Sequence, residues 1–526
     1  MAVLSSIDIP NLPVGSLAAF LIGAVSLSIL RDIHQFATNA FQIVLYRSVL
    51  ATYRVFFHPL SKFPGPKLYA ATYFPYLYQN AIRGTFAKDL LKLHMKYGPI
   101  VRVTPDRLSL EGTVGYPEAF ARRPDQEEYA KIPETYGFAK PIGIMVAERD
   151  DHRRQRRLLS HAFSEAALAE QETYIKYYID LLMTRLKDQA EAGAPVDMVR
   201  WLNFTTFDII GELAFGDPFD SLENSKYHPW VKSIYSTVKS SRQLLFFVHY
   251  TYLKPFLMTR TMKQNLKNRV ESAKLSAHKA EKRMAMKDDA RRDIMSYVLR
   301  YNTGDEKGMT HEELTTNARS LIVAGSETTA SALSAFIFHL PRNPQVYKNL
   351  VNEIRTAFAS EEDIDTRSTA VLPYLHACIE ETLRIYPPAT TVPARRCPGA
   401  MLDGKYVPEG TIIAITNWST CHNPRYFRDP ERFAPERWLP AAHLLYDPRY
   451  ASDDRRGFRP FSHGPRDCIG KNLANAEMRL LIARLLWNFD LELVPGQEDW
   501  VDKQRVFDVY EKGPLMVRLR RREVVT

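Results

Sequence analysis

The decisive stretch is FSHGPRDCIG, residues 461–470, which runs directly into the apolar helical pattern KNLANAEMRLLIARLLW at 471–487. Cys468 falls one turn before the predicted helix N-terminus, where unpaired N–H groups and the helix dipole favour a thiolate. Gly464 and Gly470 permit tight turns and the close approach of a large flat ligand. Arg466 supplies a fixed cation for a carboxylate, and Phe461 can wall off the sulfur. The competing reading of a lone cysteine is a buried, inert, small hydrophobe. A phosphate-binding loop is excluded, because five residues separate Gly464 from Gly470 and Asn472 stands where Ser or Thr is required.

The rest of the chain sets bounds on this loop. At 526 residues, with 45% apolar and 25% charged side chains, the sequence excludes a disordered chain, a fibre and a multi-span membrane protein. Its four cysteines form no C-x-x-C pair, which removes disulfide scaffolds, zinc ribbons and thioredoxin-like chemistry. A net charge of +10 is mild for this length and calls for no nucleic acid.

The segment LPVGSLAAFLIGAVSLSIL (12–30) has no charge and is long enough to span a bilayer. Arg31, Arg47 and Arg54 follow it, which puts the N-terminus in the lumen and the rest in the cytosol. No Lys or Arg precedes the apolar run, so a retained anchor fits better than a cleaved signal peptide. Residues 39–58, apolar but interrupted by Arg47 and Arg54, either lie on the membrane or form a second span. Pro59, Pro64, Gly65 and Pro66 then make a hinge. The expected organisation is an anchor at 1–30, a membrane-proximal segment and hinge at 31–66, and one large domain at 67–526.

Within that domain helical patterns dominate, at 87–97, 151–170, 174–191, 197–215, 310–340, 344–358, 374–385 and 471–487. Strand-like pairs are expected at 100–103 with 108–110, and at 405–407 with 411–415 around Pro408-Glu409-Gly410. The fold class is mainly α with small β-sheets.

F-x-x-G-x-R-x-C-x-G resembles the haem-binding signature of the cytochrome P450 family, and every specified position matches. Chance would supply those five fixed residues in about one chain of this length in ten thousand, which displaces the inert-cysteine reading. Further segments follow the family's order. AGSETT (324–329) resembles its oxygen-activating helix, where Ala324-Gly325 lets substrate and dioxygen approach the backbone and Glu327-Thr328 relays protons. ETLR (381–384) resembles E-x-x-R, and FAPERW (433–438) resembles the segment whose arginine completes a structural network of Glu381, Arg384 and Arg437. DHRRQRR (151–157) resembles a W-x-x-x-R helix with His152 in place of Trp, so His152 and Arg156 are expected at a haem propionate. Arg395 is a further propionate candidate, with Arg396 as its rival. Arg153, Arg154 and Arg157 are either a solvated face or a docking surface for an acidic flavin domain.

The resemblance implies a cytochrome P450 fold behind an N-terminal transmembrane helix, and haem b (iron protoporphyrin IX) ligated by Cys468. It implies a single-pass protein of the endoplasmic reticulum membrane, with electrons passing from NADPH through NADPH–cytochrome P450 reductase. YRVFFHPLSKFPGPK (53–67) and TFDIIGELAFGDPF (206–219) are most similar to membrane-bound fungal members of the isotrichodermin hydroxylase-like type, which oxidise secondary metabolites. The expected reaction is monooxygenation of a hydrophobic terpenoid, polyketide or alkaloid. The alternative is a reductase-independent isomerisation or dehydration of an oxygenated substrate, and the intact Glu327-Thr328 pair argues against it. Substrate contacts are expected from 125–147, 235–258 with its Leu244-Leu245-Phe246-Phe247 run, the helix before Ala324, and Pro388 to Val392.

Overall fold

A computed structural model describes residues 14–122, 126–133, 142–258, 260–286, 291–302 and 308–522. The architecture is mainly helical with four small sheets among the described residues. Two helices form its centre. Met198–Phe215 is buried at every position except Arg200, as expected of a helix apolar on all sides. It packs along His311–His339, hereafter the central helix. The packing is close because Gly325 faces Ile210: a Cβ at Gly325 would sit 3.0 Å from the Ile210 side chain. That departs from the sequence expectation, since Gly325 serves helix packing and Ala324 alone of the pair borders a cavity.

The central helix starts where the sequence places it, at a capping box. The Glu313 amide donates to Thr310 Oγ1 at 3.2 Å, and the Thr310 amide donates to the Glu313 carboxylate at 2.7 Å. The expected break between helices at 171–173 falls earlier. One helix ends at Ser160, a short 3-10 turn covers His161–Phe163, and Ser164 caps Glu165–Glu191 by accepting from the Ala167 amide. Two helices not foreseen, Pro229–His249 and Arg260–Ala285, pack on one another, and the second also packs on the central helix.

The largest sheet orders its strands as Ile100–Thr104, Arg107–Glu111, Ile412–Thr416, Arg395–Arg396 and Ala130–Lys131. The first pair is antiparallel as expected. The expected hairpin at 405–415 is not formed. Lys405–Val407 pairs with Ala400–Leu402, whereas Ile412–Thr416 runs parallel to Arg107–Glu111. Gly410, at φ +81° with its amide on Cys397 O, turns the chain out of one sheet and into another.

Val14–Thr52 is a single helix, about 58 Å long at 1.5 Å per residue. It runs without interruption past Leu30, so the expected anchor and membrane-proximal stretch share one helix up to Thr52. Tyr53–Phe57 and Pro59–Lys62 then end it. Residues 12 and 13 of the expected span lie outside the described residues. Ile33, Phe36, Phe41, Val44, Val49, Phe56 and Phe57 are all exposed. Among the described residues, the one helix meeting a length-and-apolarity test for crossing a bilayer is the central helix, and 72% of its apolar window is buried inside the protein.

Candidate active site

The cysteine loop folds on itself before the Lys471–Asn488 helix begins. The Cys468 amide donates to Phe461 O at 2.8 Å, and the Asp467 amide donates to Gly464 O at 3.1 Å. Gly464 is irreplaceable on the backbone alone: its φ is +83°, and a Cβ there would lie 2.0 Å from Phe120 O. Gly470 differs from expectation. Its φ of −84° suits any residue, and no protein atom approaches its Cβ position closer than 3.9 Å. Phe461 is half-buried against the main core.

Cys468 is exposed by surface area, yet burial is the largest influence on its thiol and pushes its pKa up. The two observations agree if the sulfur opens on an interior space rather than bulk water. The Gly470 N–H pulls the other way without prevailing, so the helix terminus by itself does not ionise the thiol. A coordinating metal does so outright.

Beside this loop a cavity of about 430 Å³ is lined by Phe120, Glu128, His152, Arg156, Arg395 and Pro465 among others. Arg156 donates to Asp467 O at 2.7 Å and pairs with its carboxylate. Arg466 is buried, pairs with Glu128 and donates to Ala147 O at 2.8 Å. Arg395 is buried with its guanidinium 3.7 Å from the centre of the Phe120 ring, while its rival Arg396 points outward and is exposed. Lys131, paired across the sheet with Arg395, is brought down to about 7 by burial and by Arg395 and Arg466. His152 is held neutral, its pKa down at about 3 through burial and the same cations.

The cavity lining carries six arginines, Arg122, Arg149, Arg153, Arg156, Arg157 and Arg395, against Glu127 and Glu128, with Arg466 beside it on Glu128. That excess of basic groups suits an anionic ligand. With the exposed Cys468 on the adjoining loop and the open space over Gly470, the residues fit haem and its propionates. Lys131 and Glu128 escaped sequence reasoning because neither belongs to a motif.

The acid–alcohol pair on the central helix is split. Ala324 and Thr328, one turn apart, are exposed in an otherwise buried stretch and line a second cavity of about 400 Å³. Thr328 Oγ1 donates to Ala324 O at 2.7 Å. Glu327 is buried and absent from that lining. Consecutive helical residues point about 100° apart, and Glu327 falls on the side away from this lining. Instead Glu327 meets Lys512 Nζ at 2.5 Å and accepts from Ser331 at 3.0 Å. Burial pushes its carboxyl up against the pull of Lys512.

Glu381, Arg384 and Arg437 come together with no exposed side-chain surface. Arg384 grips Glu381 at 2.8 and 2.9 Å, and Arg437 reaches it at 3.0 Å. The Ala434 amide and Trp438 Nε1 donate to the same carboxylate at 2.8 and 2.9 Å. Burial raises the Glu381 carboxyl, but the Arg384 and Arg437 charges and the Ala434 amide outweigh it and hold the group below its ordinary value. Asp453, which pairs with Arg437, was not legible in the sequence.

Arg154 is no part of an exposed basic face, because it pairs with Glu313 at the start of the central helix. Arg153 and Arg157 are exposed. Phe246 and Phe247 likewise leave the expected substrate wall and pack with Tyr76, Leu77 and Phe86 in a core cluster. Each of the four expected segments still reaches the second cavity, through Met145, Val238, Val323 and Val392, and the C-terminal hairpin at 505–511 adds Val506 and Val509, which were not foreseen. The expected contacts at 134–141 lie outside the described residues.

Comparison with known proteins agrees with this geometry. The cytochrome P450 family matches residues 64–512. Cytochrome P450 monooxygenase astJ of Aspergillus oryzae is 41% identical over 478 residues, covering 90% of this chain and 94% of the relative. Trichothecene C-15 hydroxylase of Fusarium sporotrichioides is 38% identical over 483 residues, 90% of this chain and 96% of that protein. Averantin hydroxylase of Dothistroma septosporum is 37% identical over 482 residues, 91% of this chain and 90% of that protein. With most of its length matched by the family and by these relatives, the chain belongs to the cytochrome P450 family, as a monooxygenase.

Proposed function

We propose that the enzyme hydroxylates a largely hydrophobic small molecule of fungal secondary metabolism, at the endoplasmic reticulum membrane, with electrons from NADPH–cytochrome P450 reductase. The observation that carries this reading is the exposed Cys468 on the loop that borders, through Pro465, a cavity lined by more basic than acidic groups. Two relatives named as hydroxylases support the reaction type. The long N-terminal helix with its exposed apolar side chains supports membrane attachment.

Cys468 would hold the haem iron, and Arg156, Arg395, Arg466 and neutral His152 would hold the propionates, with Lys131 beside them. When bound, haem supplies dioxygen activation and delivery of one oxygen atom to a C–H bond, the other leaving as water. The apolar cavity walls exclude water and orient the substrate against Ala324, whose small side chain leaves room there. Thr328 Oγ1 donates its hydrogen to Ala324 O, which leaves its lone pairs to accept a hydrogen bond in the cavity; turning that hydrogen from Ala324 O to the cavity would let it hand on a proton as it accepts another. Glu327 stands behind it, its carboxylate occupied by Lys512. Arg153 and Arg157 offer exposed cations to an acidic reductase domain.

Reconstitution in microsomes with reductase tests the proposal. NADPH oxidation should require both proteins and rise on addition of a turned-over substrate. Product formation that is independent of reductase and dioxygen would contradict it.

A further inference from the structure

The substrate cavity carries a small polar group within an apolar stretch of wall. Tyr76 comes from the short helix Phe74–Leu77, Asn80 from the turns that follow it, and Arg107 from the start of the Arg107–Glu111 strand. All three line the cavity, with Phe86, Leu90 and Val103 around them. None belongs to a motif or to a segment from which substrate contacts were expected.

The three side chains are joined through one oxygen. Arg107 Nη1 donates to Tyr76 Oη at 2.9 Å, and Asn80 Nδ2 donates to it at 3.3 Å. The Arg107 guanidinium also lies 4.9 Å from the centre of the Tyr76 ring. A phenol oxygen that accepts twice still has its own hydrogen to give, and among the described residues no acceptor takes it. The ring itself is held in place: it stands edge-on to Phe86 with 4.8 Å between centres, and Tyr76 is buried. The cation on its oxygen polarises the hydroxyl and makes it a stronger donor. A buried donor left unmet costs free energy, which an oxygen on the ligand recovers. Arg242 and Asp508, in the same lining, already grip one another.

Resting on the monooxygenase reading above, we propose that the substrate carries an acceptor oxygen, of the kind a ketone, quinone or lactone carbonyl presents, and that Tyr76 Oη donates to it. Arg107 and Asn80 hold the phenol oxygen so that its hydrogen is left for the ligand. Tyr76 is then a specificity-determining residue. The anchored carbonyl decides which part of the substrate's hydrocarbon lies against Ala324 and Thr328 in the same cavity.

Fluorenone and fluorene, which differ by a carbonyl in place of a methylene, test this by equilibrium dialysis against the full-length haem-loaded enzyme. Tyr76→Phe keeps the ring on Phe86 and removes the hydroxyl. It should weaken fluorenone binding about fivefold, the worth of one hydrogen bond, and leave fluorene within about twofold. Asn80→Leu, which keeps the hydroxyl, should lose less fluorenone affinity than Tyr76→Phe does. The carbonyl stretch of fluorenone bound to wild type should lie below its value in hexane, a comparison that stands even if the Phe variant fails to fold. Equal effects of Tyr76→Phe on the two ligands, or an unshifted carbonyl stretch, overturns the inference. The carbon-monoxide spectrum of the same sample reports separately on the monooxygenase reading, so the two can fail independently.

Discussion

Glu327 and Lys512 form a buried ion pair at 2.5 Å, with 3% and 1% of their side-chain surfaces exposed. Lys512 also donates to Ser331 at 2.7 Å. Because Lys512 directly follows the hairpin that supplies Val506 and Val509 to the cavity, the pair fixes a substrate wall to the central helix. Replacing one partner of such a pair leaves the other charge buried, at a cost of about 3–5 kcal/mol. Lys512→Met should therefore lower the urea midpoint strongly, and Glu327→Gln in the same chain should restore most of the loss. A single variant as stable as wild type would remove the clamp.

Thr328→Ala should behave differently. The side chain faces the cavity and its one recorded bond is to its own helix, so stability should change by no more than about 0.5 kcal/mol. In the reconstituted system a larger share of NADPH electrons should appear as hydrogen peroxide at the expense of product. Fully coupled turnover would take Thr328 out of proton handling.

Glu381 accepts from Arg384, Arg437, Ala434 and Trp438 at zero exposure. Glu381→Ala strands two guanidiniums, and a loss of about 3–5 kcal/mol should show as little or no haem incorporated on expression. Trp438→Phe removes one donor from the same carboxylate and should cost about 1–2 kcal/mol with haem retained. Normal haem content in Glu381→Ala would refute the structural role.

Glu477, on the helix after the cysteine, is buried with the Thr329 hydroxyl beside it, and burial lifts its carboxyl to about 8. The folded-state pKa is raised above the unfolded value, so the stabilisation is complete below about 4.5 and is lost as pH rises through about 8. Glu477→Gln keeps the shape without the titration. The variant should match wild type near pH 4 and exceed it near pH 8.5, by on the order of 5 kcal/mol in urea unfolding. Parallel pH profiles would contradict the assignment.

What the sequence disclosed follows from how local each signal is. The cysteine loop and the i, i+3 pair of Glu381 and Arg384 are each written within ten residues. The partners that complete them are not. Lys512 lies 185 residues from Glu327, and Asp453 lies 16 from Arg437 in a stretch without periodicity. Lys131 comes to this group of arginines only because its strand pairs with Arg395. The acid–alcohol pair reads as a unit in sequence, but on the helix Thr328 lines the cavity and Glu327 meets Lys512. The same holds for Pro408-Glu409-Gly410, a turn signal that carries the chain between two sheets rather than back along one.

The central claim is that Cys468 provides the axial sulfur of a bound haem. Its most direct test is the carbon-monoxide difference spectrum of reduced microsomes containing wild type or Cys468→His. The account predicts a strongly red-shifted Soret band in wild type that disappears in the variant. A histidine-like band in folded wild type, or a red-shifted band that survives the substitution, would contradict it.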